Sequence, residues 1–361
     1  MTIREIAKEL GFSTTTVSVC LARRENDPRY KIQPHKAELI RNYAQVHGYT
    51  PNLNARKLRK PDANPAVGLL FRQSASMEHQ FHSMYSVMNK LADLGIDYHV
   101  LAYKDRQLAG ALTLLKGLQV EHAILFSPLI EPCDVHHANF LQRIDEESSM
   151  RVDEFIRDWN HVDTLLQNMT LYSVNYQFPR PVKGGIVTGL IRMGTDIGRF
   201  MRAWIKKIND AGKGPVVVTN WCGEEEAMLE EGLLSCREHI LHLKFKWNRY
   251  EEGICFGEQL ARLYKTHPFR TVFAGNDSLA AGLMTALLDH GFRIPEDIGI
   301  IGFGNDDACQ CFRVPLSTFD CNISRNAVEI VEGIAAKKTA FDDREEDFSY
   351  IERDSFRLKD E

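Results

Sequence analysis

The stretch TIREIAKELGFSTTTVSVCL, residues 2–21, decides how the amino end is read. Ile3, Ile6, Ala7 and Leu10 recur at i, i+3, i+4 and i+7, the spacing of one helix face. Thr2 is placed to cap that helix, and Gly11 to end it in the left-handed conformation. Ser13 then suits the N-cap of a second helix whose buried stripe is Val17, Cys20 and Leu21. Two short helices around a Gly-containing turn predict a helix-turn-helix. Its second helix opens with Thr14, Thr15 and Thr16, with Ser18 behind them. Thr is a mediocre helix former, so a Thr row needs a reason. Short hydroxyls bond phosphate oxygens and base edges, and a Thr methyl meets a thymine methyl.

Outward from there, Pro34 to Val46 predicts a third helix with Leu39, Ile40, Tyr43 and Ala44 on its apolar face. Next comes HGYTPNLNARKLRK, residues 47–60, a short basic helix with little to bury, unstable alone in water. PDANP, 61–65, reads as a linker. Residues 1–65 hold 12 Lys+Arg against 6 Asp+Glu, while the other 296 hold 32 against 43. A basic head on an acidic body predicts an anionic partner for the head.

The body alternates strands and helices. AVGLLF, IDYHVLAY, HAILFS, PVVVTN, LHLKFK, TVFAGN and DIGIIGFG read as strands. Helical patterns lie between them, including spans near 195–209, 224–235, 252–265 and 323–336. Near-continuous apolar strands predict parallel sheets covered on both faces. The length predicts two α/β lobes, with ligands at the carboxyl ends of the strands.

The head and TIREIAKELGFSTTTVS plus HGYTPNLNARKL resemble the lactose/galactose repressor (LacI/GalR) family. The hinge pattern G-Y-x-P-N-x-x-A-R-x-L is matched in full by Gly48, Tyr49, Pro51, Asn52, Ala55, Arg56 and Leu58. VFAGNDSLAAGLMTALLDHGFRIPEDIGIIGFGNDD, 272–307, is similar to the family's carboxyl-terminal signature. The resemblance is weak over 131–171, which reads as an insertion or diverged segment. It implies an all-α helix-turn-helix domain (1–47), a hinge helix and linker (48–65), and a periplasmic-binding-protein-like two-lobed sensor with parallel sheets (66–361). Lobe 1 would span about 66–210 and 320–338, and lobe 2 about 211–319 and 339–361.

By that resemblance the partners are a palindromic double-stranded DNA operator, a small-molecule effector such as a sugar or sugar derivative, and a second copy of the chain. No membrane is implied. DNA contacts would come from Ser13, Thr14, Thr15, Thr16, Ser18, Arg23, Arg24, Asn54, Ala55 and Arg56, with Leu58 as the minor-groove wedge. The effector would meet Arg72, Ser127, Trp221, Asn276, Asp277, Phe303, Asn305 and Asp306, with Trp221 and Trp247 each also read as core. Five departures stand out. Val19 replaces the Arg usual after T-V-S, and the loop 22–31 is longer than usual. Gly304 replaces the carboxylate of G-F-D, and Leu229 the Arg of R-L-x-G. The family's D-N pair before the first crossover helix has no clear counterpart, Gly194-Thr195 or Leu190-Ile191 standing there. Losing these three polar features implies a different effector, less polar than a sugar, or none.

Other chemistries find little support. GFGNDD lacks the third Gly of a dinucleotide loop. CDVHH (133–137) and CQC (309–311) match no zinc frame, and no cofactor or metal is expected. No G-x-S-x-G elbow or paired acid–base motif points to an enzyme. Glu224–Glu226 and the acidic run 342–347 read as solvated faces. The eight cysteines read as reduced thiols, and the charged amino end lacks a secretory core, so the expected location is the cytoplasm. The rival reading is a two-lobed solute-binding protein; another is a regulator with a degenerate pocket.

Overall fold

The computed structural model describes residues 2–21, 28–30, 32–47, 49, 66–73, 78–104, 107–127, 152–175, 190–194, 196–219, 224–242, 249–338, 341–342, 344 and 347–358. The chain divides into two compact units, Met1–Ala63 and Asn64–Glu361.

The first unit holds helices α1 (Ile3–Leu10), α2 (Thr14–Leu21) and α3 (Pro34–Val46). Their common core is Ile6, Ala7, Val17, Cys20, Ala37, Ile40 and Ala44. Ala37, Ile40 and Ala44 fall at i, i+3 and i+7, so they share one face of α3. Leu39, expected on that face, instead stands 50% exposed.

The second unit contains two parallel sheets. The first runs β2-β1-β3-β4-β5, from β1 (Val67–Arg72), β2 (Tyr98–Tyr103), β3 (His122–Leu125), β4 (Thr170–Ser173) and β5 (Leu190–Arg192). The second runs β7-β6-β8-β9, from β6 (Val216–Thr219), β7 (Ile240–Leu241), β8 (Thr271–Phe273) and β9 (Gly299–Ile301). β10 (Thr318–Asp320) pairs antiparallel with β11 (Ser349–Ile351). The helices are α4 (Glu78–Asp93), α5 (Leu108–Gly117), α6 (Val152–Leu166), α7 (Ile197–Asp210), α8 (Glu225–Glu230), α9 (Arg249–Leu263), α10 (Asp277–Asp289) and α11 (Ile323–Ala335).

Of the two readings of 131–171, insertion or diverged segment, its second half fits the diverged one. There α6 buries Trp159, Val162, Leu165 and Leu166, and β4 pairs with β3 and β5. The 224–235 helix is short, α8 ending in a turn with Gly232 at φ 74°. LHLKFK yields only Ile240–Leu241, with residues 243–248 outside the described set.

The aromatic side chains gather around Phe200 of α7. Phe319 and Phe348 lie edge-on to it, with centroids at 4.8 and 4.7 Å. Phe273 and Phe303 stand at 6.4 Å. Thus α7, read from sequence as the end of the first lobe, packs with residues at the carboxyl ends of the second sheet's strands. α11 packs on α4, beside the first sheet. One core cluster accordingly joins side chains of both sheets, including Leu69, Ile124, Val218 and Ile301.

Candidate DNA-reading head and effector cleft

At the head, each expected cap forms. The Thr2 amide donates to Glu5 Oε2 at 2.7 Å, and the Glu5 amide to Thr2 Oγ1 at 3.3 Å. This reciprocal box satisfies two amides of the first turn. Gly11 closes α1 at φ 68°, where its N–H donates to the Ala7 carbonyl. The Thr16 amide donates to Ser13 Oγ at 3.0 Å, so Ser13 caps α2.

The hydroxyl row is therefore not uniform. Ser13 Oγ and Thr16 Oγ1 bond each other at 2.8 Å, holding both in the cap. Thr14 and Thr15 stand exposed on the first turn of α2, and Ser18 is half-buried. Val19, at the position of the family's Arg, is 7% exposed. A buried position there leaves Thr14 and Thr15 as the exposed side chains at the start of α2. Arg23, Arg24, Asn54, Ala55, Arg56 and Leu58 lie outside the described residues.

In the body, Arg72 ends β1, and its amide donates to Ser127 Oγ at 2.7 Å. Ser127 follows β3 and is 1% exposed, so both sit at the carboxyl edge of the first sheet. Sequence reasoning missed three polar neighbours on that edge. Asn175 is fully buried and donates to the Phe126 carbonyl at 2.6 Å. Ser173 and Arg192, the last residues of β4 and β5, are also buried. Their signal was a polar residue ending an apolar strand.

The second sheet brings the other expected residues together. Asn276 caps α10, accepting from the Leu279 amide at 2.7 Å. The Asp277 amide donates to the Phe303 carbonyl at 3.1 Å. Asn305, at φ 56°, donates from Nδ2 to Asp320 Oδ2 at 3.2 Å and accepts from an Arg353 guanidinium N–H at 2.9 Å. Asp306 lines a surface concavity of about 590 Å³ beside α10, with Tyr250, Ser278, Thr285 and Phe312. Trp221 and Trp247 lie outside the described residues.

Asp277 has a different role from the one expected. It is completely buried. Its Oδ1 accepts from the Thr318 hydroxyl at 2.6 Å and its Oδ2 from the Asp306 amide at 2.8 Å. Burial pushes its pKa up, and these hydrogen bonds pull it back. A carboxylate so enclosed ties α10 to the loop after β9.

The acidic triplet also departs from its reading. Glu225 is 1% exposed, Glu224 pairs with Arg202, and Glu226 pairs with Arg237 at 3.0 Å. This is a structured edge rather than a solvated face.

Comparison with known proteins supplies the wider frame. Residues 223–356 match the periplasmic binding protein-like domain family. The HTH-type transcriptional repressor PurR of Pasteurella multocida is 25% identical over 345 residues, covering 90% of this chain and 88% of PurR. The NTD biosynthesis operon regulator NtdR of Bacillus subtilis is 24% identical, covering 92% of this chain and 93% of NtdR. Among solved structures, the Lac repressor dimer bound to operator and the anti-inducer ONPF superposes with a TM-score of 0.66 at 14% identity. That superposition covers 98% of each chain. No helix among the described residues is long and apolar enough to cross a membrane. A capped helix-turn-helix, two parallel sheets with crossing helices, and relatives matched over nearly their full length make the chain similar to regulators of the lactose/galactose repressor (LacI/GalR) family.

Proposed function

We propose that the protein is a sequence-specific DNA-binding transcriptional regulator, a repressor, controlled by a small molecule bound between its two lobes. The observation that carries this reading is the first turn of α2. Ser13 and Thr16 fix the helix end, and Thr14 and Thr15 stand exposed on it. In a helix-turn-helix that turn enters the major groove. Ser18, Arg23 and Arg24 would add contacts. Asn54, Ala55, Arg56 and Leu58 would form a hinge helix in the minor groove. The head would span 1–47, the hinge 48–65 and the sensor 66–361.

The chain would act as a homodimer on a near-palindromic operator, as symmetry requires. It would work in the cytoplasm as a binding protein, without catalysis. Effector contacts would come from Arg72, Ser127, Trp221, Asn276, Phe303, Asn305 and Asp306. The ligand would act through its differential affinity for the DNA-competent lobe arrangement. With Gly304 and Leu229 in place of a carboxylate and an Arg, the pocket favours a ligand less hydroxylated than a monosaccharide.

The test is selection of bound duplexes from a randomised library by the full-length protein. Enrichment of an inverted repeat supports the reading. Uniform binding of all duplexes refutes it, as does none at low salt.

A further inference from the structure

We propose that Cys236, Glu238 and His267 form a zinc site at the amino-terminal edge of the second sheet. One ligand atom from each of the three lies within 4.8 Å of the other two. Zn²⁺ takes thiolate sulfur at about 2.3 Å and imidazole nitrogen or carboxylate oxygen at about 2.0–2.2 Å. Ligands around one such ion stand roughly 3–4 Å apart, so a small closure of this cluster completes the site. Three protein ligands leave a fourth position for water.

The backbone brings these residues together from two connections. Cys236 and Glu238 precede β7, and His267 precedes β8. Asn276 and the other effector candidates follow their strands, at the opposite edge. The turns are joined by His239, whose Nε2 lies 3.3 Å from the His267 carbonyl. His239 is 2% exposed. Its Nδ1 is buried with no hydrogen-bond partner among the described residues. Arg237, the cation inside the Cys–Glu turn, is drawn off to Glu226.

Thr266 Oγ1 lies 3.0 Å from His267 Nδ1 and 3.2 Å from the Leu263 carbonyl oxygen, so it holds the imidazole ring from that side. A metal-binding imidazole is typically oriented this way, by a hydrogen bond on its other nitrogen. Without metal, the Cys236 thiol bonds the Glu238 carboxylate. Zinc binding forms the sulfur–zinc bond and breaks the S–H bond, releasing that proton to solvent, so affinity rises with pH.

The test uses untagged, reduced, full-length protein stripped of metal and titrated with Co²⁺. One equivalent per chain with a thiolate-to-cobalt charge-transfer band, displaced by Zn²⁺, is expected. Cys236→Ser abolishes the band. Thr266→Val weakens binding by about tenfold, the usual loss when such an outer hydrogen bond is removed. Cys133→Ser, Cys255→Ser and Cys311→Ser leave the band intact. As a second measurement on the unmutated chain, Zn²⁺ slows alkylation of Cys236 and not of Cys255. A charge-transfer band that survives Cys236→Ser overturns the proposal. So does its absence from the unmutated protein, or alkylation of Cys236 that is indifferent to Zn²⁺.

Discussion

The Thr318 hydroxyl donates to Asp277 Oδ1 at 2.6 Å, and neither residue touches solvent. The same carboxylate holds the Asp306 amide at 2.8 Å. A Cβ on Gly302 would lie 2.2 Å from Oδ1, so only glycine admits this approach. Three connections of the second lobe thus converge on one buried charge. Removing it with Asp277→Ala strands the Thr318 hydroxyl and the Asp306 amide. The expected loss is about 3 kcal/mol in urea unfolding, at about 1–3 kcal/mol per unsatisfied buried group.

The same residue sets a pH dependence. Burial raises the folded pKa of Asp277 above the ordinary aspartate range, so the folded state holds the proton more tightly than the unfolded one. Its contribution to stability is therefore greatest below the unfolded pKa. It declines as pH rises from there through the folded pKa and is constant beyond. Asp277→Asn removes this component. Unfolding free energies of the two proteins, measured across that window, should differ in slope; parallel curves would show the carboxyl to be unshifted.

At the head, two neighbouring substitutions should separate stability from reading. Ser13→Ala removes the cap of α2 and costs about 1 kcal/mol of head stability. Thr15→Ala removes an exposed hydroxyl and leaves the helix intact. It should cost about 1 kcal/mol of operator affinity, roughly fivefold. Thermal melting and operator titration of both variants give the comparison, and a Thr15→Ala protein that binds its selected operator undiminished would remove that side chain from the interface.

Charge supplies the sequence-independent part of binding. With 12 Lys+Arg in residues 1–65, phosphate contacts should dominate affinity at low salt. The logarithm of the association constant should fall with that of salt at about −0.9 per phosphate neutralised. Alanine at Arg56, proposed for the minor groove, should lower the slope by about one contact. An unchanged slope would place Arg56 away from DNA.

Local rules carried the head far. Thr2, Gly11 and Ser13 were legible as caps because capping involves residues three or four apart, as the structure bears out. The strands were legible where apolar runs were continuous, as in Val67–Leu70 and Val216–Val218. Strand β4 and α6 were not, since TLYS is short and polar at both ends and α6 follows a segment without periodicity. Asp277 was misread for a deeper reason. Its partners, Asp306 and Thr318, lie 29 and 41 residues away, and no local pattern separates a buried tie from a ligand contact. Cys236, Glu238 and His267 were equally hidden, since 29 residues separate Glu238 from His267.

The contact between α9 and α10 depends on glycine. A Cβ on Gly282 would stand 2.0 Å from the Tyr250 carbonyl oxygen, and one on Gly253 2.2 Å from that of Leu279. Both obstacles are backbone, which yields only if the helices part. Gly282→Ala should therefore destabilise the sensor by about 1–3 kcal/mol, the range for overpacking, even though alanine is the better helix former. Urea unfolding of the full chain measures it, and a stabilised variant would mean the helices cross more loosely than described.

Gly304 gives the sharpest test of the pocket. The family's carboxylate belongs at this position, yet here the backbone stands at φ 130°, with its amide donating to the Phe319 carbonyl at 2.8 Å. Side-chain-bearing residues rarely adopt that conformation, so a side chain restored here meets backbone strain. Restoring the carboxylate with Gly304→Asp should cost about 1–3 kcal/mol in strain. It should also fail to create monosaccharide binding, because a strained loop would not hold the new carboxylate in one place. Calorimetric titration of the variant with common monosaccharides decides the matter. Micromolar binding without loss of stability would show that the loop is unaltered and that the single side chain was all the pocket lacked.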